Sequence, residues 1–356
     1  MKALALAFTF SLFLPAAAQA AMPASDVIGQ AIDGFIRPAY GDLAERTAAL
    51  EKSVEALCAT PSQASLDAAR DGFTQAAQGW AKVELIMFGP IREGNRLERM
   101  LFWPDRKSIG LKQVQAALAA RDPDATEAEK IARKSVAMQG FGALEYVLFG
   151  TDAEELATAE GAYRCAFGAA VAGNIAAISA DVRDDWNKPD GFAAIWASPG
   201  PDNLTYRNGS EAVTELMGVF INGLEMVRDV RLRGFLGLRP EKDKPKQALY
   251  WRSQGTTASL AANLEGLGGL FGASHLADAL APDARWIAES IEIQFANGAE
   301  AARSVSGPIE EALDDPARRE KLDYLGTVTS SLSNLFGVRL SGEFGLTAGF
   351  SSLDGD

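Results

Sequence analysis

Between Pro61 and Met87 the apolar residues Leu66, Ala69, Phe73, Ala76, Trp80, Val83 and Met87 return at alternating steps of three and four. That spacing lines one stripe of an α-helix, and the stripe is stable only when buried against other helices. The same period governs most of the chain and the two-residue alternation of strands is nearly absent, so the expected fold class is all-α, built as helical bundles. Ser25 to Ala56 reads as a helix interrupted at Pro38, where a backbone donor is missing. Thr126 with Glu129, and Thr151 with Glu154, have capping-box spacing, and Gly150 is expected to stop the helix after Leu148-Phe149. Ser210 is the expected cap of a second set. Its stripes are Val213, Leu216, Phe220, Leu224 and Val227, then Leu260, Leu264, Leu267 and Leu270. Trp286, Ile287 and Ile291 mark a further helix, and Leu322, Leu325, Val328, Leu332 and Leu335 the last.

Met1-Lys2 followed by an apolar run to Pro15 and by Ala18-Gln19-Ala20 has the layout of a secretory leader, with cleavage expected after Ala20. The apolar run is shorter than the ~20 residues of a membrane span. No cysteine lies near the cut, so a lipoprotein anchor is not expected and the mature protein should be periplasmic. Nothing after the leader reads as long and apolar enough to span a bilayer. The formal charge of −13 becomes one unit more negative once Lys2 is removed, which disfavours nucleic acid and anionic membrane as partners. The remaining chain exceeds the roughly 250–300 residues at which a single core stops growing. The expected division is a leader at 1–20, an N-terminal bundle at 21–188, a linker at 189–209 and a C-terminal bundle at 210–356. The two cysteines, Cys58 and Cys165, are most simply a disulfide in an oxidising compartment; the alternative is two buried thiols.

The most informative segment for a site runs from Gly140 to Tyr146. On a helix running from Thr126, Ile131 and Met138 define one seam line and Phe141 and Leu148 the other; Glu145, seven residues after Met138, falls on the apolar seam. A carboxylate there must be paired, hydrogen-bonded or bound to a cation. Gly140 and Gly142 each cost about 1 kcal/mol inside a helix and suggest close approach of a backbone or ligand. The competing reading puts Glu145 near solvent at the helix end and the glycines at a tight helix contact. Glu84, four residues after Trp80, is the second candidate; its alternatives are a solvated edge or an ion pair with Arg92 or Arg96. Arg252 and Ser253, beside Trp251, read either as an anion-binding face or as partners of a buried acid, and Asp229 and Arg231 stay undecided. The single histidine, His275, reads as a surface or capping residue, so a zinc site of the usual kind lacks ligands; a hard-cation site of carboxylates and carbonyls stays open. No Gly-x-Ser-x-Gly and no nucleophile–histidine set is present.

Phe88-Gly89-Pro90-Ile91, Asn95-Arg96, Trp103-Pro104-Asp105, the Gly140–Gly150 segment, Trp251-Arg252-Ser253 and the last eight residues, Gly349 to Asp356, together resemble the imelysin family of exported bacterial proteins. The resemblance covers nearly the whole mature chain. It implies two bundle-like helical domains with family residues near their junction, a cell-envelope location and, for many relatives, a link to iron uptake; some members have been called metallopeptidases. The hallmark G-x-H-x-x-E is matched by Gly140 and Glu145, but Gly142 stands where the histidine belongs, which undercuts both the metal ligand and the peptidase. The expectation is therefore a binding or accessory protein holding a metal ion, possible iron included, or a small polar ligand between the bundles. Its expected ligand residues are Glu145, Glu84, Trp80, Asn95, Arg96, Asp105, Gly140, Gly142 and Arg252, with Glu145 and Glu84 on any metal. A metallopeptidase, and a non-catalytic partner of an outer-membrane uptake system, are the alternatives.

Overall fold

The structure is a computed structural model that describes residues 23–346; the leader with its cleavage point and the Gly349–Asp356 motif lie outside the described residues. Among the described residues there is helix and no strand. The first helix, α1 (Ala24–Ala31), passes through a π-helical turn at Ile32–Ile36 into α2 (Arg37–Ala59), so the interruption expected at Pro38 is a widened turn just before it. Helix α3 (Gln63–Val83) starts where Ser62 accepts from the Ser65 N–H at 3.2 Å, and buries Leu66, Ala69, Phe73, Ala76, Trp80 and Val83 as its period requires. Met87 lies beyond the helix end.

The segment expected to be a loop, Phe88 to Asp105, is partly helical: a 3-10 turn at Gly89–Asn95 runs into the short α4 (Arg96–Met100), and a cis peptide joins Trp103 to Pro104. Next come α5 (Ile109–Ala120) and the one-turn α6 (Ala128–Ile131).

A continuous helix from Thr126 to Phe149 does not form. After α6 the chain makes a 3-10 turn at Val136–Met138, and a new helix, α7, spans Gly140–Phe149. The break has local causes: Ser135 accepts from the Ala137 N–H, and Gly140 has φ +73°, outside the helical region. Neither proposed capping box exists. Thr126 donates back to the Pro123 carbonyl, and Glu154 pairs with Arg70 while left-handed Asp152 starts the 3-10 turn beyond Gly150. Gly150 does end α7.

Helix α8 (Ala162–Asn187) packs against both α2 and α7 and buries most of its side chains between Cys165 and Val182. The expectation that nothing after the leader is apolar and long enough to cross a membrane is corrected here. By length and composition the helical run Ala159–Ala197 qualifies, at mean hydropathy 1.5, but 67% of its apolar window is buried inside the protein. Cys165 of α8 is bonded to Cys58 of α2, with Cα atoms 5.5 Å apart.

The Pro- and Gly-rich stretch after α8 contains α9 (Phe192–Ala197), and α10 (Gly209–Glu225) is capped by Asn208, not Ser210: the Asn208 side chain accepts from the Glu211 N–H at 3.0 Å. A second π-helical turn, Met226–Leu232, ends α10. The remaining long helices are α11 (Thr256–Ser274), α12 (Arg285–Arg303) and α14 (Pro316–Asn334), with the short α13 (Ile309–Asp314) between the last two. Their stripes are buried as expected, except that Trp286 is half exposed. The hydrophobic core is continuous along the chain: α3 packs on α11, and α1 packs on both α10 and α11.

Candidate functional site

Where α7 faces the segment before α11, a cavity of about 430 Å³ opens between residues 101–146 and residues 229–252. The start of α7 is fixed by backbone contact. A side chain on Gly140 would stand 2.2 Å from the Met100 carbonyl oxygen, so only glycine fits there. Gln139 adds side-chain anchorage: its Oε1 accepts from Arg99 Nε at 3.0 Å and Asn174 Nδ2 at 3.2 Å. Gly140 thus serves a backbone contact with α4, not a ligand. Gly142 is different: it lines the cavity, and a Cβ there would meet nothing within 4 Å.

One turn on, Glu145 is 5% exposed at the cavity wall. Its Oε1 accepts from the Ser253 N–H at 3.0 Å and the Ser253 hydroxyl at 2.9 Å. Burial pushes its carboxyl above the ordinary range, while the Ser253 hydrogen bonds and the Arg252 charge hold it back in part. The chain reaches Glu145 by an uncommon path, since Tyr250 and Gln254 both have left-handed backbone with φ near +59° and +58°. A bulky side chain in that region costs of order 1–3 kcal/mol; here it turns the Ser253 N–H onto the carboxylate. Arg252 lies 4.5 Å over the Trp251 ring and 5.4 Å from the Tyr146 ring centroid.

The other expected residues separate into three places. Asp105 lines the cavity, but both oxygens are engaged with the start of α5, at 2.6 Å from the Ile109 nitrogen and 3.2 Å from that of Leu111. Glu84 and Trp80 are buried and do not line it. Glu84 accepts from Arg231 Nη2 at 2.5 Å and Asn263 Nδ2 at 2.6 Å, replacing the proposed partners Arg92 and Arg96. Burial raises the Glu84 carboxyl pKa, opposed chiefly by the Arg231 charge. Arg231 in turn lies 5.0 Å over the ring of Trp103, a wall residue of the cavity, so Glu84 acts behind the wall. Asn95 and Arg96 lie away from the cavity. Asn95 is exposed with φ +55°, and Arg96 reaches α8, 2.6 Å from Asp185, because the 3-10 turn carries it there.

Sequence reasoning missed Tyr250, Asn263 and Lys246 as parts of this region, and it named Tyr146 only as the end of the Gly140 segment. The local signal present was the run Tyr250-Trp251-Arg252; nothing local marks Asn263.

A resident metal ion does not fit these residues. No group of three or more His, Cys, Asp or Glu among the described residues is placed to hold one. Glu145 and Glu84 have separate hydrogen-bond partners, and Gly142 brings no imidazole. His275 caps the end of α11 with φ +53° and pairs with Asp278 on the surface.

The fold has solved relatives. An imelysin-like protein from Psychrobacter arcticum is similar at TM-score 0.69 and 18% identity, covering 92% of this chain and 98% of its own. A putative iron-regulated protein A precursor from Parabacteroides distasonis is similar at TM-score 0.74 and 17% identity, covering 93% and 98%. In sequence, iron-regulated protein A of Synechococcus elongatus is 22% identical over 324 residues, 86% of this chain and 84% of that protein. The family model described as imelysin matches residues 36–335, and with most of its length so matched the chain belongs to the imelysin family.

Proposed function

We propose that this protein is an exported, periplasmic accessory protein of iron acquisition that holds a small ligand in the cleft beside Glu145 and hands it to envelope uptake proteins. The observation that carries the binding reading is the cavity of about 430 Å³, a size suited to a small molecule, with a buried, hydrogen-bonded carboxylate in its wall. Export is supported by the leader-like composition of residues 1–20 and by a structural relative whose name includes the word precursor. The iron connection is supported by the names of two relatives, each an iron-regulated protein A. Gly142 at the motif's histidine position and the lack of a grouped ligand set among the described residues give no support to a metal-activated water.

The test is native mass spectrometry on protein purified from its own periplasm. Mature protein should begin at Ala21 and carry a non-covalent mass that is absent from a Gly142→Trp variant, whose indole would fill the open space at residue 142. Bound mass unaffected by that substitution would place the ligand elsewhere and remove the cleft from consideration.

A further inference from the structure

Resting on that reading of the cleft, we propose that its ligand is a small organic anion, a carboxylate or phosphate carried on a planar or apolar body. The proposal comes from a mismatch in how charges lining the cavity are paired.

The carboxylates are already committed. Glu145 takes two hydrogen bonds from Ser253, Asp105 takes two from the start of α5, and Asp229 takes two from Arg228, at 2.8 and 2.6 Å. The cations are not. Arg106, Lys246 and Arg252 line the same cavity, and none makes an ion pair with a described residue. Arg252 attracts Glu145 at longer range without bonding to it through its guanidinium. Two of these cations rest on aromatic faces instead: Lys246 Nζ lies 5.7 Å from the Trp251 ring centroid and Arg252 Cζ 4.5 Å from it. A ring contact holds a cation in place while leaving its N–H donors to find an acceptor. A chain of net charge −13 therefore turns unpaired, ring-supported cations toward this cavity, and Trp103, Tyr146 and Trp251 supply flat apolar wall between them.

A bare cation would meet the reverse: carboxylates already hydrogen-bonded, Glu145 through Oε1, and positive charges with no ion-pair partner among the described residues. An anion would gain charge-assisted hydrogen bonds from Arg252, and its ring or alkyl body would lie against the aromatic wall. Whether the anionic group is a carboxylate or a phosphate is a question for the probes.

Three probes of similar ring size are titrated into the full mature protein and read by calorimetry and tryptophan fluorescence: benzoate, phenyl phosphate and benzamidine. Benzoate or phenyl phosphate should bind, with the tighter one naming the anionic group, and benzamidine should not. Arg252→Gln should weaken binding about tenfold, as for one lost charged hydrogen bond, and Arg252→Lys should retain part of it. Lys246→Ala, at an exposed position that does not endanger folding, should weaken it by a smaller factor. Raising salt should weaken all anion binding. Benzamidine binding that Gly142→Trp abolishes would keep the cleft and overturn the anion. Absence of binding by both anions, or anion binding indifferent to Arg252→Gln and Lys246→Ala, overturns the proposal too, while the native mass retained or lost in Gly142→Trp judges the cleft separately.

Discussion

Arg231 and Glu84, separated by 147 residues of sequence, meet at 2.5 Å with side chains 7% and 4% exposed. The pair joins the end of α3 to the π-helical turn after α10, and Arg231 also supports the Trp103 face of the cleft. Breaking such a pair leaves a buried charge without a partner. Glu84→Gln or Arg231→Met should each destabilise the protein by about 3–5 kcal/mol, whereas the double variant should cost clearly less than the two singles added. Urea denaturation of all four proteins measures the coupling; simple additivity would show the pair contributes nothing as a pair.

Glu145 gives stability a pH dependence of definite sign. Burial keeps its folded pKa above the ordinary 4.5, so the folded chain retains this proton to higher pH than the unfolded chain does. Its contribution is fully present below pH 4.5 and is lost as pH rises through the folded value. Glu145→Gln removes that titration. The difference in unfolding free energy, wild type minus variant, should fall as pH is raised from 4.5 toward neutrality. A difference that stays level would mean the group titrates as if in water.

The two motif glycines should respond oppositely to the same change. Gly140→Ala forces a Cβ to 2.2 Å from a carbonyl oxygen at φ +73° and should cost several kcal/mol, on the order of the largest point-mutation effects. Gly142→Ala places its methyl in open space within α7 and should stabilise by about 0.5–1 kcal/mol through helix preference. Thermal melts of the two variants suffice, and a Gly140→Ala protein that melts with wild type would contradict the close approach of α4.

The Cys58–Cys165 bond closes a separation of 107 residues between α2 and α8. Replacing both cysteines by alanine should lower stability by about 2–5 kcal/mol. Equilibrium urea curves under non-reducing conditions test this, with dithiothreitol expected to bring wild type toward the variant.

The long helices were readable because their buried residues repeat along one stripe: α3, α11 and α14 bury the residues their period names. The burial of Glu145 was also readable, though through a helix that does not run as projected. Apolar spacing continues across Ser135 to Gly140 while the backbone turns there, and period alone does not register a φ of +73°. The cap at Asn208 was missed for a different reason. Asn208 and Ser210 both suit the role, and only the fold decides which side chain meets the Glu211 N–H. Glu84 was flagged beside the seam, but its partners lie on elements 147 and 179 residues away, a distance no local pattern reports.

Asn263 of α11 donates to the Ala81 carbonyl of α3 at 2.6 Å, and a Cβ on Gly266 would stand 2.1 Å from the Lys82 carbonyl oxygen. The two backbones touch with no side chain between them, close to where Glu84 and Arg231 lock. A clamshell motion about this seam would have to pull bare main chain apart and strand buried charges. Solution scattering profiles with and without ligand should therefore superimpose. On the proposed reading, a ligand would exchange past the aromatic and basic side chains at the rim, Trp251, Lys246 and Arg252, while the frame stays shut.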